Sequence, residues 1–344
     1  MIVRLANSRA LVTLLLITGA LWGPHAGAQH PTPAELKYFT PVRSVIFDVP
    51  DTLLIATIDH LDVDASGRLL VTDKLGQQVL LFDSTGALLA SLDPRVCHPG
   101  FTFRPVKAMF GGSEFILLFN AGPWGYRFTS DGACLGGVHS DFGLSKFVDI
   151  DPKGGLIGVV DGPEWEVRQM DGSGKPLNSF PVAEPKFPNA SYRFSGGGLV
   201  ADGFHVYFAW APEPTVMKYT LDGEFVRRIR KSSRYFRSQH ADMPFEVSPE
   251  QVAALRNWTG TFTLALYELS EHLIMVQYLD NRSGTGYQVF SKDGELVAEE
   301  LGIGGWFFIH GGNGLAYGLF QPDLDDQREL PNPFITVYKF LPPQ

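Results

Sequence analysis

Residues 58–92, IDHLDVDASGRLLVTDKLGQQVLLFDSTGALLASL, hold four short strand-like runs: HLDVD, RLLVTD, QVLLFD and ALLASL. Ser66-Gly67, Leu75-Gly76 and Ser84-Thr85-Gly86 separate them, and such small, turn-forming residues between apolar β-branched or aromatic runs mark tight reversals of an extended chain. The stretch therefore reads as a four-stranded antiparallel meander. Its last two runs and their turn recur as VLLFDSTGALL, YRFTSDGACL, VRQMDGSGKPL, MKYTLDGEFV and YQVFSKDGELV, with turn glycines at Gly86, Gly132, Gly174, Gly223 and Gly294. The intervals are 46, 42, 49 and 71 residues, and the last becomes 42 when the 29 residues 231–259 are set aside as an insertion. A recurrence of about 45 residues is the period of a β-propeller blade.

Five blades carry this turn, and WFFIHGG, GLAYGLF and FITVYKFL supply three strands of a sixth before Gln344. The segment 41–50, PVRSVIFDVP, stands ahead of the first complete unit with no partners of its own. A ring of sheets removes exposed edges only when its first and last units interlock. The expected fold is all-β, a six-bladed β-propeller of four-stranded antiparallel blades whose ring is closed by an N-terminal strand. Ser248-Pro249-Glu250-Gln251 has the form of a capping box with Pro at the first helical position, so one helical insertion is expected between blades 4 and 5, running to about Trp258.

Blade 1 resembles the NHL-repeat type of six-bladed propeller in its strand, Asp-x-x-Gly turn, Val-x-Asp strand and apolar-Phe-Asp strand before Gly. VDIDPKGGLIGVVDG in blade 3 and ILLFN and FTSDG in blade 2 follow the same outline. The resemblance implies the fold. It leaves function open, because that family includes binding scaffolds as well as ester, lactone and lyase enzymes.

Composition agrees with a globular β protein: of 344 residues, 44% are hydrophobic and 12% aromatic, with 37 Gly and 24 Pro. Asp and Glu number 37 against 28 Lys and Arg, a formal charge of -9 that opposes the phosphate attraction on which nucleic-acid binding rests. Arg4 and Arg9, an apolar run from Ala10 to Trp22 and Ala26-Gly27-Ala28 read as a signal peptide over residues 1–28. The run is too short to span a bilayer. Its removal deletes two Arg and no acid, leaving -11 on a single domain, residues 29–344, that is expected to be secreted or periplasmic. Cys97 and Cys134 could pair there or remain separate buried thiols. Asn189, Asn257 and Asn281 head glycosylation triplets, which also occur by chance.

In a meander propeller the loops joining second to third strands share one face with those joining successive blades. That face is expected to collect Asp73, Asn120, Trp124, Asp161, Trp165, Trp210, Glu213, Asp280, Asn281, Asp323, Asp325 and Asp326. Asp73, Asn120, Asp161 and Asp280 each end a strand, where short acceptors commonly satisfy turn amides. Trp124, Trp165 and Trp210 occupy matching loops of blades 2, 3 and 4, so together with Asp161 and Glu213 they form the expected binding sector.

Other motifs are weaker. Asp62-x-Asp64-x-Ser66-Gly67 copies half a calcium loop without its helices, and Asp323, Asp325, Asp326 and Glu329 make an acidic cluster more easily read as a solvated loop. His60 and His310 fall on innermost strands and could reach a central channel, although a hydrogen-bonded structural role is simpler. The basic-aromatic run Arg227, Arg228, Arg230, Lys231, Arg234, Tyr235, Phe236 and Arg237 reads as an outer solvated surface. No Gly-x-Ser-x-Gly elbow, P-loop or zinc spacing is present.

The sequence thus favours a non-catalytic module that needs no cofactor and takes a small molecule, a glycan or an envelope protein on its loop face. The alternative is a metal-dependent hydrolase, lactonase or lyase with a channel-bound cation such as calcium, drawing on Asn120, Asp161 or His60.

Overall fold

A computed structural model describes residues 35–100, 102–112, 115–120, 124–139, 148–151, 154–160, 165–182, 197–211, 213, 215–230, 261–280, 284–303, 307–320 and 333–343. The chain begins with β1 (Phe39–Ile46) and then lays down blade 1 as β2 (His60–Val63), β3 (Leu69–Asp73), β4 (Gln78–Phe82) and β5 (Leu88–Ser91). Blade 2 is β6 (Pro105–Gly111), β7 (Phe115–Asn120), β8 (Trp124–Thr129) and β9 (Cys134–His139), and blade 3 is β10 (Val148–Ile150), β11 (Leu156–Val160), β12 (Glu166–Met170) and β13 (Pro176–Pro181). Blade 4 is β14 (Gly197–Ala201), β15 (His205–Trp210), β16 (Thr215–Thr220) and β17 (Phe225–Arg230), and blade 5 is β18 (Thr261–Ser270), β19 (Leu273–Asp280), β20 (Gly284–Ser291) and β21 (Leu296–Leu301). Blade 6 is β22 (Phe307–Gly312), β23 (Leu315–Phe320) and β24 (Phe334–Phe340), with β1 hydrogen-bonded outside β24 as its fourth strand.

Every blade is an antiparallel four-stranded meander. The innermost strands neighbour one another in the order β2, β6, β10, β14, β18, β22 and back to β2. Second strands are buried on both faces, which is why LLVTD and FILLFN read as continuous apolar runs rather than alternating ones. Within blade 1, Leu69 and Val71 face blade 6 in a core with Ile309 and Leu319. Leu70 and Val79 face blade 2 in a core with Ala108 and Phe110. The hydrophobic core therefore lies between blades.

The recurring turn has one geometry. Gly86, Gly132, Gly174, Gly223 and Gly294 all have φ between 86° and 99°. In blades 1 and 3 the side chains of Asp83 and Asp171 accept the amides of the turn, and in blades 2, 4 and 5 Thr129, Thr220 and Ser291 replace them. A Cβ on Gly86 would stand 2.2 Å from the Ile46 carbonyl oxygen, because the end of β1 docks on this turn. The Asp48 amide donates to the Gly86 carbonyl there at 2.8 Å.

The described residues contain no α-helix and a single 3-10 turn, Pro94–Val96, so the fold as described is all-β. The expected insertion 231–259, with its helix from Ser248 to about Trp258, lies outside the described residues, as do the signal peptide and the acidic cluster 323–329. No helix among the described residues is long and apolar enough to cross a membrane.

Candidate functional site

The loop face of the blade 3–blade 4 junction brings three of the expected residues together. Along β15, Val206, Phe208 and Trp210 alternate toward blade 3 and join Ile157, Val159 and Val167 in one core. Trp165 leads into β12 and packs on that core, its ring edge-on to Trp210 with centroids 4.9 Å apart. Phe208 meets Trp210 from below in the same manner at 4.5 Å, so the Trp210 ring is fixed on two sides. The Glu213 amide donates to the Trp210 carbonyl, tying the turn to the strand end.

Joint exposure of the tryptophans does not hold. Trp210 is 1% exposed and belongs to the interblade core, because its place in the Val206-Phe208-Trp210 alternation aims it at blade 3. Trp165 is half-buried and is the ring of this pair that solvent reaches. Glu213 is largely buried. Trp124 begins β8, but its side chain is not described, and Asp161, Asn281, Asp325 and Asp326 lie outside the described residues.

Asp73 and Asn120 bond loop amides, whereas Asp280 bonds across to the strand paired with its own. Asp73 is buried and accepts from the amides of Ala56, Thr57 and Gly76 and from the Thr57 hydroxyl. Asn120 accepts the Arg104 amide and donates to the Thr102 carbonyl, and Asp280 accepts the Thr261 hydroxyl. The two halves of the calcium-like motif separate. Asp64 turns back on its own loop, accepting from Ser66 and Arg68, while Asp62 faces the channel. Among the described residues no three His, Cys, Asp or Glu side chains stand close enough to share a metal ion. Cys97 and Cys134 form a disulfide with Cα atoms 6.1 Å apart, fastening the linker after blade 1 to the outer strand of blade 2.

A second constellation lines the channel, and most of it is invisible in a linear reading. Asp62 on β2 accepts the Phe110 amide of β6 at 2.7 Å, Lys107 on β6 donates to the Val148 carbonyl of β10, and Asp149 on β10 accepts the Ala201 amide of β14 at 2.9 Å. Tyr267 and Gln277 of blade 5 bond the Phe308 backbone, each at 2.8 Å, and His310 of blade 6 bonds the Leu61 backbone. Side chain to backbone bonds thus join successive blades around much of the ring. His310 Nδ1 also stands 3.5 Å from Asp62 Oδ1.

Burial governs the charge states here. Loss of solvent pushes the carboxyls of Asp62 and Asp149 up to about 6, against the pull of backbone amides and the Lys107 ammonium. Burial lowers Lys107, opposed by Asp149 and Asp62. It also lowers His310 to about 4 and His60 well below the usual imidazole range, with Lys107 adding to both shifts. The side chains of Asp62 and His310 still keep 20% and 18% exposure, so water reaches them.

At the opposite end of the blade 4–blade 5 junction, Lys292 Nζ bridges Asp202 at 3.0 Å and Glu268 at 2.5 Å. Asp202 further accepts the amides of Phe204 and His205. This network closes a seam between blades and has the character of a structural brace.

No described protein family matches the chain, and no curated protein matches it. Solved structures do. A candidate exported protein from Bacteroides fragilis is similar over 91% of this chain and 98% of its own, with TM-score 0.65 and 12% identity. A member of the DUF4221 family from Bacteroides vulgatus is similar over 89% of this chain and 98% of its own, with TM-score 0.62 and 11% identity. A streptogramin B lyase is similar over 80% of each chain, with TM-score 0.50 and 11% identity. At these identities the likeness is one of fold.

Proposed function

We propose that the protein is an exported propeller of NHL-like type that binds a ligand or protein partner, without catalysis, at the loop end of the blade 3–blade 4 junction. One observation carries this reading: the partly buried Trp165 ring is held edge-on to a buried Trp210, beside the turn that bears Glu213. A rigid aromatic surface backed by core is the kind of anchor that contributes most at recognition sites, since it loses little conformational freedom on binding. The occupants this chemistry suits are a glycan, a small amphipathic molecule or an envelope protein. The signal-peptide-like start and the similarity to a candidate exported protein support an extracytoplasmic setting.

Photocrosslinking in the exporting cell tests the reading. A benzophenone amino acid at position 165 should give a discrete adduct. The same probe at Leu89, exposed on the outer strand of blade 1, should give none. Equal adducts at both positions, or none at 165, would sink it.

A further inference from the structure

The outermost strand of each blade has one edge turned away from its sheet, and most of these strands carry a feature that blunts that edge against further pairing. β13 has Pro176 and Pro181 at its ends, β9 holds Gly136, Gly137 and the disulfide, and β1 carries Pro41 at a register shift. β5 is only four residues long, and in β21 the acidic Glu300 already accepts the Lys37 amide. β17, FVRRIR, has none of these features. It is paired with β16 from Phe225 to Arg230 and, among the described residues, with nothing along its other edge. All of it except Ile229 is exposed.

The charge of this strand is opposite to that of the protein. Arg227, Arg228 and Arg230 stand together in a chain of formal charge -9, and among the described residues no carboxylate pairs with any of them. Ile229 is buried against Leu266, Ile274 and Phe290 of blade 5, and Arg227 on the same side donates to the Asp293 carbonyl. Alternation turns Arg228 and Arg230 to the opposite side, where the Arg228 guanidinium stands 5.8 Å from the ring of Phe225, itself 53% exposed. We propose that the free edge of β17 is a docking site for an extended acidic segment of a partner protein, which adds to blade 4 as a fifth strand.

Backbone pairing supplies the attachment, and the side chains choose the partner. A strand laid beside β17 sends every second side chain to the side of Arg228 and Arg230. Acidic residues there meet opposite charge, whereas Lys or Arg meets like charge. An apolar residue farther along that side covers the Phe225 ring. A second copy of this chain is disfavoured by the same rule, since pairing β17 with β17 sets arginines against arginines. The three arginines therefore protect the edge from self-association and leave it open to one class of strand.

A fluorescent peptide of about ten residues, alternating glutamate and valine, is the probe. The full mature chain should bind it in an anisotropy titration, and rising salt should weaken the complex. Arg228→Glu/Arg230→Glu should weaken binding about tenfold and admit the corresponding lysine-valine peptide instead. Should that variant fail to fold, Arg228→Gln/Arg230→Gln should show a smaller loss in folded protein. The same glutamate-valine peptide with N-methylated backbone amides should not bind, because it cannot donate to a strand ladder. Binding that survives both arginine replacements, equal binding of the glutamate and lysine peptides, or capture of the N-methylated peptide overturns the proposal. So does a chain that takes heparin and ignores the peptide, which would assign the arginines to a polyanion. Trp165→Ala should leave peptide binding unchanged, so this proposal and the Trp165 reading can fail separately.

Discussion

Phe39 in the first strand lies opposite Phe340 in the last, and their rings stand 5.2 Å apart. Phe39 also meets Tyr287 and Phe308 at 5.0 Å each, so one residue from the start of the fold holds together blades 5 and 6. Pairing continues from Phe39–Phe340 to Ile46–Phe334. Phe39→Ala should cost about 3–5 kcal/mol, the range for a buried aromatic truncated to a cavity. Deleting residues 29–46 should lower both the melting temperature and the sharpness of the transition, as calorimetry would show. An unchanged melt would mean that β1 is dispensable to the ring.

Gly86 tests the same seam from the other side. Alanine there carries both the left-handed backbone cost of about 1–2 kcal/mol and a collision with the Ile46 carbonyl. Gly100 has a similar φ of 89° but open space around a built Cβ. Urea denaturation of Gly86→Ala and Gly100→Ala should therefore show the larger loss at Gly86. Equal losses would assign the whole effect to backbone conformation and none to docking of β1.

How much of this was legible follows from the kind of signal. The turn glycines were readable because each turn needs a left-handed residue preceded three positions earlier by a short acceptor, a purely local demand met by Asp83, Thr129, Asp171, Thr220 and Ser291. The leftover strand at 41–50 foretold the β1–β24 pairing, since an unpaired edge must be covered. Trp210 stands just before a loop, which suggests a place in the binding sector, but the Val206-Phe208-Trp210 alternation points it inward. Lys107 and Asp149 carry no linear signal, because PVKAMFG and VDI each show one charged residue at an alternating position, which reads as solvent-facing. Only closing the ring turns those positions toward a common axis.

The channel groups give stability an unusual pH dependence. Asp62 and Asp149 titrate at about 6 in the fold, above their unfolded value of about 3.9, so the folded state binds more protons and stability rises as pH falls between those values. His310, at about 4 in the fold against about 6.5 unfolded, acts in the opposite sense, and its contribution is lost as pH falls through that window. His60 follows His310. The two pairs therefore work against each other between about pH 4 and 6.5, and each variant is read against the wild-type profile. His310→Gln should make stability rise toward acid and Asp149→Asn should make it fall, by at most about 3 kcal/mol each. Parallel slopes in the two variants would contradict the assignment.

The tryptophan pair separates structure from recognition within one contact. Trp210 is core, so Trp210→Ala should cost about 3–5 kcal/mol and open the seam between blades 3 and 4. Trp165 has solvent on one side, so Trp165→Ala should cost only about 1–2 kcal/mol and leave the β circular-dichroism spectrum intact. In a double-mutant cycle the edge-on pair should show coupling of about 0.5–1.5 kcal/mol. If Trp165 serves binding, its alanine variant keeps the fold and loses the partner identified by crosslinking, whereas a purely structural Trp165 keeps the partner in proportion to the folded fraction. Measuring both quantities on the same preparation distinguishes the two roles, since only a binding residue lowers capture by protein that is fully folded.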